Sequence, residues 1–444
     1  MKRTLVIVVL LIASFTLGTV PAAAQNRYIV RTTGGLSSVL NLCLLANCQV
    51  QGALDGSIGQ TFLVTTTGNL VSNLLNGTIN LLEALLGIKS IEPDQLLPIP
   101  QQPLSSIPAE LYDTTPVDYY GTVVWHGYVA QPATQIIRLV DAQQGFGISG
   151  SGIVAVIDTG VDTTHPVLYP VLLPGYDFTR NQPGASEWLD VPQLQNGDQD
   201  GDNNSQGQSP VMVQQSSAAV LDQSSAAVLD GGPYSCFGHG TMTSGLVHLV
   251  APTAKILPLK AFSANGTGYL SNIIAALYYG VEHGANVVNM SFDLTTASPA
   301  LNEAVSYANQ QGVVLVAAAG NGSTSAPVYP AALDDNVMGI ASTSNSDTLS
   351  TFSNYGDVDV WIAAPGEYVM STYPGGTYAS ESGTSFSAPL VAGAAALMLS
   401  SGNTLNQSNA SSALSNAVQL TSNLNHGRLD VYLAISALQN GANW

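Results

Sequence analysis

Positive charge is scarce in this sequence: 10 lysines and arginines face 29 acidic residues in 444 positions, a formal net charge of −19. A protein that grips nucleic acid needs a basic stripe to neutralise phosphates, so that class of partner is excluded. Charged residues of both signs make up only 9% of the chain and aromatic residues 7%. At 45% hydrophobic, it still carries enough apolar surface for one large core and a smaller second one. Beyond the N-terminus no run is long and apolar enough to span a bilayer, which leaves no membrane partner once that segment is cut away. Cysteine is nearly absent, with 3 in all. Cys43 and Cys48 are close enough for a small disulfide loop in an oxidising compartment. Cys236 is left over and reads as structural, since a thiol nucleophile needs its own ordered constellation.

What is present begins with a targeting signal. Lys2 and Arg3 precede the apolar run "LVIVVLLIASFTLG", and Ala22-Ala23-Ala24 closes it with small residues. Residues 1–24 are therefore expected to be a cleaved signal peptide, placing the protein outside the cell. Residues 25–95 read as a separate α+β unit. "RYIVRTT", "QTFLVTTT" and "KSIEPD" have β character, and "LVSNLLNGTINLLEALLGI" has leucines at helical spacing. The proline-rich stretch over 96–126 reads as a linker.

From residue 127 onward, apolar runs such as "GIVAVIDTG", "GANVVNMSF" and "GVVLVAAAGN" alternate with helical stretches. Continuous apolar strands separated by helices predict a parallel sheet covered on both faces. The functional residues of such a sheet sit just past the carboxyl ends of its strands. Residues 181–235 interrupt the rhythm as an insertion containing "QSSAAVLD" twice, too few copies for a solenoid.

Three strand-end or helix-start blocks carry chemistry. "VAVIDTGVD" places Asp158 after an apolar strand, "GHGTMTSG" places His239 at a helix start, and "GTSFSAPLVAG" places Ser385 at another. A serine hydroxyl is a poor nucleophile at neutral pH until a neighbouring imidazole takes its proton and a carboxylate orients that imidazole. The chain order Asp, His, Ser is the subtilisin order. On these blocks, with "VVNMS", "AAAGN" and "FSNYG…WIAAPG", the chain over 127–440 closely resembles the subtilisin-like serine peptidases. The resemblance implies an α/β fold with a seven-stranded parallel sheet, hydrolysis of peptide bonds in peptide or protein substrates, and no cofactor in the chemistry. It assigns Asp158, His239 and Ser385 as the catalytic set and Asn321 as the oxyanion donor. Ser291, Phe292, Asp293, Ala319 and Gly320 are assigned to substrate binding. It likewise makes 25–95 similar to the family's inhibitory propeptide, an intramolecular inhibitor removed by self-cleavage between Pro93 and Gln131.

The chain departs from the family pattern in places. Phe386 follows the nucleophile where many relatives carry Met. Asp293 replaces a usual Gly; its carboxylate either narrows the primary specificity pocket or favours a basic substrate residue, or else points to solvent. Asp198, Asp200 and Asp202 alternate as calcium ligands do, but Gly and Glu do not fall where a calcium loop needs them. A solvated acidic loop is the plain reading there, and a structural calcium site the alternative. Two other functions use the same residues differently. A silent binding module would keep the fold without chemistry, and an acyl transferase would pass the acyl group to an amine.

Overall fold

The computed structural model describes residues 26–70, 85–99, 111–191, 234–333 and 336–440. The stretch read as a signal peptide, most of the leucine-rich run "LVSNLLNGTINLLEALLGI" and most of the insertion lie outside the described residues. The first unit is a four-stranded antiparallel sheet in the order β2-β3-β1-β4, from β1 (Asn26–Thr32), β2 (Gln49–Ala53), β3 (Thr61–Thr66) and β4 (Ile88–Pro93). Helix α1 (Gly35–Ala46) packs on it through Val39, Leu42 and Cys43, beside Val30 and Val64. Neither α1 nor β2 stands out in the sequence. Asn47 ends α1 in the left-handed conformation, and Cys48 just beyond it is bonded to Cys43.

The strand β5 (Leu96–Pro98) and a hairpin of β6 (Pro116–Tyr119) and β7 (Thr122–Trp125) follow. What reads as a proline-rich linker is thus partly strand. The hairpin and the residues after it already belong to the larger unit. Tyr119 Oη donates to the Leu249 carbonyl, and buried Tyr128 donates to the Gly245 carbonyl at 2.6 Å.

The main sheet has eight strands, in the order β10-β9-β11-β8-β13-β14-β15-β16. These are β8 (Ile153–Asp158), β9 (Tyr176–Asp177), β10 (Gln182–Pro183), β11 (Lys255–Lys260), β13 (Val287–Met290), β14 (Val314–Ala318), β15 (Met338–Thr343) and β16 (Ile362–Pro365). Seven run parallel, as the family resemblance implies, and β10 adds an antiparallel edge. So the first eleven residues of the segment read as an insertion include a strand of the sheet. The small strand β12 (Thr267–Tyr269) follows β11, and a hairpin of β17 (Val369–Tyr373) and β18 (Thr377–Glu381) follows β16.

Side-chain alternation explains the layering. Val154 and Val156 of β8 face α2 (His239–Val250) and the buried helix α5 (Thr384–Leu399). Ala155 and Ile157 face the other way, toward α3 (Leu270–Glu282) and α4 (Pro299–Gln310). A strand buried on both faces must be apolar throughout, which is why these runs do not alternate with polar residues. Helices α2 and α5 cross where Gly393 has no side chain; a Cβ there would lie 2.7 Å from Val250 Cβ.

The two units are joined by charge at helix ends. Asp94 accepts from the Ser271 N–H at 2.8 Å and the Ser271 hydroxyl at 2.7 Å, capping α3, which has no side-chain cap at its own N-cap position. Glu92 accepts from the Ala300 N–H at 2.8 Å at the start of α4. Carboxylates placed on unsatisfied N–H groups at the positive ends of helices are favourable. Arg27 pairs with Asp94 at 2.7 Å and lies over the Tyr269 ring.

A basic side chain is fully interior. Lys260 ends β11 with 0% exposure, and its Nζ donates to the carbonyls of Thr159 and Phe262 and to Asp190 Oδ2, at 2.6–2.7 Å. Lys260→Met would strand these acceptors and is expected to cost about 3 kcal/mol. Chemical denaturation measures this as a lower midpoint. An unchanged midpoint would show that the ammonium contributes nothing net.

Candidate active site

Asp158 sits at the carboxyl end of β8, beside the point where successive strands change from one side of the sheet to the other. Crevices form at such switch points. The carboxylate is 1% exposed and satisfied by its neighbours. Oδ1 accepts from the Thr159 N–H at 2.7 Å and from His239 Nδ1 at 2.7 Å; Oδ2 accepts from the Thr243 hydroxyl at 3.1 Å. Because the carboxylate accepts, Nδ1 carries the proton and Nε2 is left as the basic nitrogen.

His239 opens α2 after Gly238, whose φ of +93° favours glycine. Burial works against its protonation, but the Asp158 charge and hydrogen bond, with Glu381 and Glu187 further away, outweigh it and raise the imidazole above its ordinary value. Glu187 is a residue that sequence reasoning missed, lying inside the supposed insertion. Fully buried, it accepts from Thr159 Oγ1 at 2.8 Å, the Thr241 N–H at 3.1 Å and Thr241 Oγ1 at 3.2 Å. Thr159 Oγ1 in turn accepts from the Gly240 N–H at 2.9 Å. The end of β8 and the start of α2 are therefore pinned together through one carboxyl, which burial pushes up to about 7.

Ser385 lies in the first turn of α5. The helix contains Pro389, which has no N–H to donate to the carbonyl four residues back. That carbonyl belongs to Ser385, and Ser291 Oγ donates to it instead at 2.9 Å. In return Ser385 Oγ donates to the Ser291 carbonyl at 3.3 Å. The Ser385 hydroxyl makes no bond to His239, whose Nε2 is buried and without a hydrogen-bond partner. The Phe386 ring packs on the imidazole at 5.3 Å between centroids. Catalytic hydrogen bonds are often long or misaligned before substrate binds.

Asn321 follows β14 and reaches the same helix start. Its Oδ1 accepts from the Thr384 N–H and Thr384 Oγ1, both at 2.9 Å, and its Nδ2 lies 3.4 Å from where a Gly383 Cβ would be. Gly320 N–H donates to Thr384 Oγ1 at 3.1 Å. Asn354 braces this strand end from behind, donating to the Ala319 carbonyl at 2.8 Å and accepting from the Gly322 N–H at 2.9 Å. All four residues singled out for the chemistry thus converge where β8, β13, β14, α2 and α5 meet.

The flanking residues divide. Ser291 is engaged with Ser385, and Ala319 and Gly320 form backbone wall. The Phe292 ring is 1% exposed and packs on Phe262 at 5.2 Å, so it faces the core rather than the cleft. Asp293 does not point to solvent: its Oδ2 lies 2.8 Å from where a Gly320 Cβ would be. Asp198, Asp200 and Asp202 lie outside the described residues. Cys236 is buried against the sheet and outside the disulfide.

The residues just after the first unit pair with the larger one. Strand β5 pairs antiparallel with β12, Leu97 opposite Gly268, and the Ile99 N–H donates to the Gly266 carbonyl at 2.7 Å. Leu97 and Ile99 are buried there.

The chain is similar to several known proteins. The profile described as "Subtilase family" matches residues 150–432. Thermitase from Thermoactinomyces vulgaris is 34% identical over 312 residues, 67% of this chain and 93% of that protein. A thermophilic serine proteinase from Bacillus sp. is 36% identical over 267 residues, 58% of this chain and about half (54%) of that protein. Among solved structures, fervidolysin from Fervidobacterium pennivorans, a keratinolytic enzyme related to subtilisin, aligns with a TM-score of 0.66. It is 22% identical, covering 93% of this chain and 61% of that one, a likeness of fold.

The raised His239 fixes the sign of a pH dependence. A base must be neutral to accept a proton, so hydrolysis should fall as pH drops through a value above the ordinary 6.5 of an imidazole. A pH profile of kcat/KM measures this. Its acidic limb should shift downward in Asp158→Asn, which removes the stabilising charge, and an unshifted limb would assign the titration to another group.

Proposed function

The chain belongs to the subtilase family of serine endopeptidases, and on that premise we propose that it is secreted as a zymogen and cuts peptide bonds through an acyl-enzyme on Ser385. The observation that carries the reading is the Asp158–His239 bond, which leaves a buried, unpartnered Nε2 beside the start of the helix bearing Ser385.

The steps follow from the groups present. A peptide strand lies along β12, the position that β5 occupies here. Rotation about the Cα–Cβ bond of Ser385 carries Oγ from the Ser291 carbonyl toward Nε2. His239 takes the hydroxyl proton as Oγ bonds to the scissile carbonyl carbon. The carbonyl oxygen becomes an oxyanion, stabilised by Asn321 Nδ2 and the Ser385 N–H at the positive end of α5. The imidazolium, held by Asp158, returns the proton to the departing amine as the C–N bond breaks. Water repeats the sequence on the acyl-enzyme and releases the acid. Asp158 stays ionised throughout.

The first unit acts as the inhibitor. It covers the substrate strand with β5 and caps α3 and α4 with Asp94 and Glu92. Since Ile99 is bonded to Gly266 beside β12 and Leu111 onward packs on the larger unit, we place the maturation cut in 100–110. This lies within the Pro93–Gln131 interval read from the sequence and outside the described residues. The Cys43–Cys48 loop leaves with the inhibitor.

Ser385→Ala should accumulate as the precursor, take no fluorophosphonate label and lose kcat by about a millionfold, the scale of removing a triad nucleophile. Asn321→Ala should lose about 10²–10³ in kcat with little change in KM. N-terminal sequencing and probe labelling of the secreted protein check the first; undiminished labelling of Ser385→Ala would move the nucleophile elsewhere. Transfer of the acyl group to an added amine in preference to water would make the enzyme a transferase.

A further inference from the structure

An acyl carbonyl attacked by Ser385, with its oxygen toward Asn321, has to send the side chain of its own residue into the gap between Ser291–Asp293 and Ala319–Asn321. These segments continue neighbouring parallel strands, β13 and β14, so backbone walls the gap on both sides. Asp293 stands within it. Its Oδ2 comes within 2.8 Å of the place a Cβ would take on Gly320, where Asn354 Nδ2 lies at 2.6 Å, so the carboxylate reaches across the gap toward the Gly320 wall. The Gly320 φ of +96° keeps that wall free of a side chain.

A second carboxylate is near enough for its charge to act on the first. Asp359 is 1% exposed; Oδ1 accepts from the Val328 N–H at 2.9 Å, and Oδ2 has no partner. Neither Asp293 nor Asp359 forms an ion pair with a described residue. Burial and, for Asp293, the nearby Asp359 charge push each carboxyl up to about 6. A half-buried acid and a buried one, neither paired with a described cation, disfavour each other's charge, and a cation carried in by the substrate would relieve both.

Resting on the reading of Ser385 as nucleophile, we infer that Asp293 is a specificity-determining residue that selects lysine or arginine on the acyl side of the cut bond. The ammonium or guanidinium pairs with the Asp293 carboxylate in the slot. Acidic residues are repelled there, and large aromatic ones compete with the carboxylate for the space.

The test uses the mature wild-type enzyme, its active sites counted with a fluorophosphonate, and peptides that differ only in the residue before the cut. At pH 8, kcat/KM for Arg or Lys should exceed that for Gln or Met by at least about tenfold, with Glu poorest, the scale of one desolvated charge pair. Asp293→Asn should erase that ratio, Asp293→Glu should keep its sign, and Asp293→Gly should admit Phe. A ratio within one enzyme does not depend on how much of a variant folds. A wild type that prefers Phe or Met to Arg, or an Asp293→Asn variant with the wild-type ratio, overturns the inference. If the wild type takes the probe and shows no basic preference, only this inference falls. If it takes no probe and cuts no peptide, the serine peptidase reading falls with it.

Discussion

The hydrogen bond between Asp158 and His239 is the constraint that the rest of the cleft serves. It joins a buried carboxylate to an imidazole more than eighty positions away in sequence, and it works only if the end of β8 and the start of α2 hold one relative position. Three layers of support fix that position. The Thr159 N–H and Thr243 hydroxyl satisfy the remaining lone pairs of the carboxylate. Glu187 ties Thr159 to the first amides of α2. Behind them Lys260 holds the Thr159 carbonyl and Asp190. A buried ionised carboxylate is tolerable only when its neighbours supply donors in this way.

The first unit adds an electrostatic dependence between separate folding elements. Helix α3 lacks a side-chain cap at its own N-cap position, and both α3 and α4 take a carboxylate from the strand end of the smaller unit. The same short stretch runs on as β5, which pairs with β12. Capping both helices and extending β12 are therefore performed by residues 92–99, and separation of the units ends both at once.

Much of this was legible in the sequence because burial leaves a pattern. Strands covered on two faces read as uninterrupted apolar runs, and the polar residue ending each run marks the sheet's carboxyl edge, as Asp158 does. Asn321, His239 and Ser385 acquire roles only through the matching blocks of the family resemblance. Glu187 gave no such sign. It is one acid among many in a segment of irregular composition, and its role comes from burial against backbone amides supplied by a distant helix. Helix α1 and strand β2 were hidden similarly, since "GLSSVLNLCLLA" is apolar on nearly every side and "QVQGA" is mostly exposed. The orientation of Asp293 depended on an absence, the missing side chain of Gly320, which acts across two strands and leaves no periodic trace.

Pro389 has a consequence for how this chain can vary. By withholding one N–H, the proline hands the carbonyl of Ser385 to a serine on another strand, and position 291 becomes chemically obligated to position 389. Replacing the proline with a residue that can donate would return the carbonyl to its own helix and leave the Ser291 hydroxyl to find other company. Changing Ser291 alone would leave a buried carbonyl with no donor. The two positions should therefore tolerate substitution as a pair far better than singly, a form of epistasis written by a hydrogen bond that one residue is unable to make.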